Sequence, residues 1–140
     1  MSKSGRVSKA ARPKPKSAPE VPVRALSPLL PVASMDATID FYRTVLGFAP
    51  VMQSEAYAIL RRGPASLHLH KAAPGVLKKT RGQLAIYLEV ENIETLWEHV
   101  AQFRKTWQIR DLFDREYGMR EFHVIDPDGC LIFVGQQIAK

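Results

Sequence analysis

Hydrophobic and polar residues alternate with period two along the last third of the chain. Phe122 and Val124 share one face, and Glu121 and His123 the other. After a short break, Ile132 and Val134 share one face, and Leu131 and Phe133 the other. The break is Asp126-Pro127-Asp128-Gly129, in which proline presets the first turn corner and glycine accepts φ > 0 after it. Alternation on both sides of such a turn predicts a hairpin. One face is expected to pack on a helix and the other to face a cavity.

The same logic divides the rest of the chain. Leu26–Val32 is a short apolar strand made irregular by Pro28 and Pro31. Met35, Ile39, Tyr42 and Leu46 then fall at helical spacing, with Ser34 as N-cap, Asp36 in the first turn and Gly47 as the stop. Strands are expected at Phe48–Ser54, Tyr57–Arg61 and Ala65–His70, with Gly63-Pro64 turning the last two. Residues 72–82 read as a polar linking loop. The pattern then restarts. Gln83–Val90 is a strand, Asn92 caps a helix whose stripe is Ile93, Trp97 and Val100, and strands follow at Trp107–Asp114, Arg120–Ile125 and Cys130–Gln136. A shift of 58 positions brings Val32 onto Val90, Met35 onto Ile93, Ile39 onto Trp97 and Tyr42 onto Val100. The chain is therefore read as α+β. Two βαβββ modules, about 25–71 and 83–137, form a curved sheet with an open cleft. With one helix for four strands, each module leaves one sheet face uncovered.

Charge changes the picture at one end only. The 140 residues carry +6, but residues 1–24 hold seven Lys and Arg against Glu20, so the remaining 116 are neutral. This tail is rich in Pro, Ser and Ala and is expected to be disordered. Weak contact with nucleic acid is the partner its charge suits. Its prolines argue against a transit helix, and no apolar signal core follows. No run approaches the roughly 18 apolar residues of a membrane span. The single cysteine, Cys130, cannot close an internal disulfide, which suits a reducing, cytoplasmic setting. No phosphate-cradling loop or nucleophile elbow is present. Ser66 and His68 share a strand without a third group to orient them.

The doubled unit, the TIDFYRTVLGF segment and the GMREFHVIDPDGCLIFV segment resemble the vicinal oxygen chelate superfamily of glyoxalases, extradiol dioxygenases and bleomycin-resistance proteins. The resemblance covers about residues 26–137. The spacing of Tyr117-Gly118, Arg120-Glu121-Phe122, Asp126-Pro127 and Gly129 is most similar to the bleomycin-resistance branch. It implies four metal positions in the enzymes, which fall here on Ser27, His68, Ala85 and Phe133. Ala85 and Phe133 supply no donor atom, and a catalytic divalent cation needs about three good ones. The resemblance thus implies a metal-free protein that sequesters an antibiotic or similar aromatic ligand, with no cofactor. It also implies a homodimer with the grooves at its interface. Met52, Tyr57, His68, Tyr117, Arg120 and Phe133 are the candidate ligand-binding residues, with Trp107 and Phe113 as further wall candidates and Arg120 as a polar anchor. The alternative is a divalent-metal lyase, isomerase or dioxygenase with a displaced ligand set, His68 and His70 on one strand with Glu121 and His123 on another.

Overall fold

The computed structural model describes residues 14–139; residues 1–13 of the basic tail and Lys140 lie outside them. Residues 14–26 are exposed and carry no regular secondary structure. The first repeat is β1 (Leu29–Val32), α1 (Met35–Leu46), β2 (Ala49–Gln53), β3 (Tyr57–Arg62) and β4 (Ala65–Lys71). A short helix, α2 (Pro74–Thr80), leads into β5 (Ala85–Glu89), α3 (Ile93–Val100), β6 (Ile109–Asp114), β7 (Met119–Ile125) and β8 (Leu131–Gln137). Each repeat builds a four-stranded sheet of the same design, β1-β4-β3-β2 and β5-β8-β7-β6. In each, the first strand runs parallel to the fourth and the other pairs are antiparallel. The expected double βαβββ architecture is present, with the strands divided into one sheet per repeat.

The two long helices, α1 and α3, are where their end signals put them. Ser34 Oγ accepts from the Ala37 amide at 3.2 Å, satisfying one free N–H of the first turn of α1. Gly47 ends it at φ 74°, a left-handed conformation that favours glycine, and a Cβ there would also displace the Arg62 guanidinium. Asn92 does occupy the N-cap of α3, but in the left-handed region and without a side-chain bond to the helix. Gln136 Oε1 from β8 accepts from the Ile93 amide instead, at 2.8 Å.

Two expectations are corrected. Residues 72–82 are not wholly a loop: Pro74 suits the first turn of a helix, Lys78 and Lys79 suit the last, and α2 forms without burying a residue. The first strand begins at Leu29 rather than Leu26, whose side chain is 95% exposed. Pro28, lacking an N–H, contributes only its carbonyl, to the His68 amide at 2.9 Å.

Both sheets share one core. Leu30, Ala58, Leu60, Leu67 and Leu69 from the first sheet, and Phe122, Val124, Ile132 and Val134 from the second, join α1 and α3 in a single buried cluster. The hairpin turn fastens the repeats together. Asp128 accepts from the Ala33 amide and from Thr38 Oγ1, both at 3.0 Å, and Asp126 accepts from Tyr42 Oη at 2.7 Å. Because the cores face inward, the alternate residues of every strand form two uncovered faces. Among the described residues, no helix is long and apolar enough to cross a membrane.

Candidate functional site

On the uncovered face of the second sheet, one aromatic ring comes from each strand. Register pairs Tyr87 of β5 with Phe133 of β8, and Phe133 with His123 of β7. Tyr87 and Phe133 lie parallel at 6.0 Å, His123 tilts onto Phe133 at 4.2 Å, and Phe113 of β6 meets His123 edge-on at 5.4 Å. A register shift between Arg110 and Phe113 places them opposite His123 and Glu121 respectively. Those two partners share a face, so residues three apart on β6 both point outward, which an unbroken strand forbids. Arg110 lies over the Phe113 ring at 3.8 Å.

A buried carboxylate holds this strip. Glu121 is 0% exposed. Its Oε1 accepts from His123 Nε2 at 2.9 Å and Arg115 Nη1 at 3.4 Å. Its Oε2 accepts from Tyr87 Oη at 2.7 Å and Tyr117 Oη at 2.6 Å. Burial pushes the carboxyl upward, but the bonds from His123, Tyr117 and Tyr87 more than offset it and leave it below its ordinary 4.5. The same arrangement raises both phenols, Tyr87 by burial and then its bond to Glu121, Tyr117 by that bond first. Both hydroxyls therefore stay protonated and donate. Tethered at the hydroxyl, the two rings remain about half exposed, at 46% and 52%. Gly135 gives Tyr87 room: a Cβ there would overlap its hydroxyl and crowd Glu121 Cγ at 3.2 Å.

The uncovered face of the first sheet is simpler. Tyr57 Oη and His68 Nδ1 are hydrogen-bonded at 2.8 Å with their rings edge-to-face. Met52 pairs with Ile59 and so shares this face. His70 lies two residues from His68 on the same side of β4.

The predicted residues thus separate into two groups. Met52, Tyr57 and His68 sit on the first sheet, Tyr117 and Phe133 on the second. Arg120 falls on neither open face and is corrected as an anchor. It lies on the helix side with Phe122, bonding Asp114 at 2.7 Å and Glu94 at 2.6 Å. Trp107 is corrected as a wall: it packs on the core, edge-on to Phe41 at 4.8 Å. Phe113 does reach the open face. Sequence reading missed Tyr87, Arg110 and Arg115. Tyr87 was detectable, being opposite in parity to the apolar Ile86 and Leu88, whereas Arg110 depends on the bulge. Crevices of about 780 and 400 Å³ lie beside Arg43, Arg62 and His99 and beside Leu26, Tyr42 and Ile86. Apart from Tyr87 at the edge of the second, neither includes a residue of the aromatic strip, which in one chain is a floor without an opposing wall. Cys130 is buried, and burial pushes its thiol up to about 12, away from reactive thiolate.

A metal of the kind the enzymes of this fold use does not fit these residues. Ser27 is hydrogen-bonded to Ser66, and Ala85 and Phe133 lack donors. The displaced set is not assembled: His68 and His70 are on β4, Glu121 and His123 on the other sheet, and Glu121 already accepts four hydrogen bonds. Among the described residues, no group of three or more His, Cys, Asp or Glu is placed to hold an ion.

The chain is similar to several known proteins. A bleomycin resistance protein of Geobacillus stearothermophilus is 30% identical over 125 residues, covering 79% of this chain and 95% of the relative. Bleomycin resistance proteins of Staphylococcus aureus match equally. A crystal structure of a bleomycin-binding protein complexed with bleomycin superposes with a TM-score of 0.71 at 25% identity, covering 82% of this chain and 99% of that one. The bleomycin-binding protein of Streptomyces verticillus, complexed with copper(II)-bleomycin, shares the fold at 0.68 and 22% identity, over 86% of this chain and 100% of that one. The family model for the Glyoxalase/Bleomycin resistance protein/Dioxygenase superfamily matches residues 24–134. With a double βαβββ core, paired uncovered faces and that match, the chain belongs to the Glyoxalase/Bleomycin resistance protein/Dioxygenase superfamily.

Proposed function

We propose that this protein binds and sequesters a planar, amphipathic small molecule in the manner of bleomycin-resistance proteins, without metal and without transforming it. The observation that carries the reading is the continuous strip Tyr87-Phe133-His123-Phe113, whose buried carboxylate tethers Tyr87 and His123 rather than being aimed at a reacting atom. Aromatic stacking contributes about 0.5–1.5 kcal/mol per pair beyond area burial, so two or three rings plus polar anchors support micromolar binding. Two copies pair in the cytoplasm. The first sheet of one, with Met52, Tyr57 and His68, then covers the second sheet of the other and closes two grooves.

The test is calorimetry and thermal unfolding of chelator-treated protein with bleomycin and a panel of fused-ring aromatic compounds. At least one should bind one per chain. At a hundredfold excess over its dissociation constant it should stabilise the fold by about 2.7 kcal/mol. Phe133→Ala should weaken that binding about tenfold. Binding seen only after a divalent metal is restored, or no stabilisation by any compound, would contradict the reading.

A further inference from the structure

Among the described residues, the aromatic strip carries an unpaired cation at one end. Its only carboxylate at the centre, Glu121, is buried, and both its oxygens are engaged by donors from the strip itself. At the β6 end, Arg110 is exposed and stacked on Phe113. None of the ion pairs among the described residues includes it. Arg115, 5.3 Å from the Phe113 ring and 4.7 Å from Tyr117, is already paired with Glu116 and Glu121, which leaves Arg110 as the unpaired cation at this end. Stacking immobilises a guanidinium in advance and leaves its N–H edges free to donate. Glu89, on β5, is at the far end of the same sheet.

We infer that the strip selects a planar aromatic anion, its rings on Phe133 and His123 and its carboxylate or sulfonate against Arg110, rather than a cationic or neutral ligand of the same shape. This rests on the reading of the strip as the binding face and adds the charge of the ligand to it. A guanidinium recognises a planar oxyanion through paired N–H donors, which a lysine ammonium matches less well.

The experiment uses three probes with one ring system: 2-naphthoate, 2-naphthamide and 2-naphthylmethylammonium, titrated into the full chain by calorimetry. Naphthoate should bind about tenfold tighter than the amide, and the ammonium probe weakest. Arg110→Gln should bring the naphthoate-to-amide ratio close to one, and Arg110→Lys should retain part of it. Arg104→Gln, an exposed arginine paired with Asp111 and off the strip, should leave the ratio as in the parent, separating local recognition from overall charge. Equal affinities for naphthoate and the amide, or a preference that survives Arg110→Gln, would overturn the anion assignment and leave the binding face standing. Failure of all three probes to bind would remove both.

Discussion

Asp126→Ala is expected to cost the fold about 3–5 kcal/mol, because it orphans several donors at once. Asp126 is 3% exposed. Its Oδ2 accepts from Tyr42 Oη at 2.7 Å, and its Oδ1 from the amides of Asp128 at 2.8 Å and Cys130 at 3.0 Å. Tyr42 is itself fully buried between α1 and the hairpin, so its hydroxyl cannot turn to water. The same turn carries Asp128, which holds the start of α1, so its loosening would separate the repeats as well as unfold a hairpin. Asp126→Asn keeps an acceptor for the two amides, and Tyr42 can accept from the new amide group. Burial holds the Asp126 carboxyl above its ordinary 3.8 despite the bonds from Tyr42, Cys130 and Asp128, so its charge is a cost that asparagine removes. The asparagine variant should therefore lose only about 1–2 kcal/mol. Urea unfolding of the three proteins checks the order.

Glu121→Ala is expected to lose about 2–4 kcal/mol of stability, together with most ligand binding. The alanine leaves Arg115, His123 and two tyrosine hydroxyls without their shared acceptor, over a space the carboxylate filled. Tyr87 and Tyr117 are near the surface, so water recovers part of the loss and keeps the cost below that at a deep site. Binding suffers more than stability suggests, because the rings lose the tether that orients them. The pH dependence has a definite sign. The folded carboxyl lies below 4.5, so its contribution is complete above that value and disappears as the pH falls through the lowered one. The difference in urea midpoint between the parent and Glu121→Gln should be widest at neutral pH and shrink toward pH 3. A difference that grew on acidification would mean that Glu121 is held in its neutral form.

What the linear pattern revealed, and what it hid, follows from the range of the forces involved. Local rules located the Ser34 cap, the Gly47 stop and the Asp126–Gly129 turn, each a matter of a few adjacent residues. Strand parity separated Phe122 and Val124 from Glu121 and His123, and the 58-residue shift recovered the doubled architecture. Parity also held the answer for Arg120, two residues before Phe122 and so on the helix side, where Glu94 and Asp114 claim it. The placement of Arg110 was not legible, because it depends on a register slip between β6 and β7 that no residue type announces. Glu121 was visible as a carboxylate beside His123. Its role as a shared acceptor needed Tyr87 from 34 residues away and the clearance that Gly135 provides. α2 was hidden because it buries nothing and so leaves no apolar stripe.

The proposed function requires that a ligand lie on the exposed face of the second sheet. The most direct measurement is two-dimensional NMR of the isotope-labelled protein, chelator-treated, titrated with a binding aromatic compound. Saturable shifts are expected, concentrated on the amides and ring signals of Tyr87, Phe113, His123 and Phe133. Shifts confined instead to the crevice beside Arg43, Arg62 and His99, or to the core around Tyr42, would contradict it.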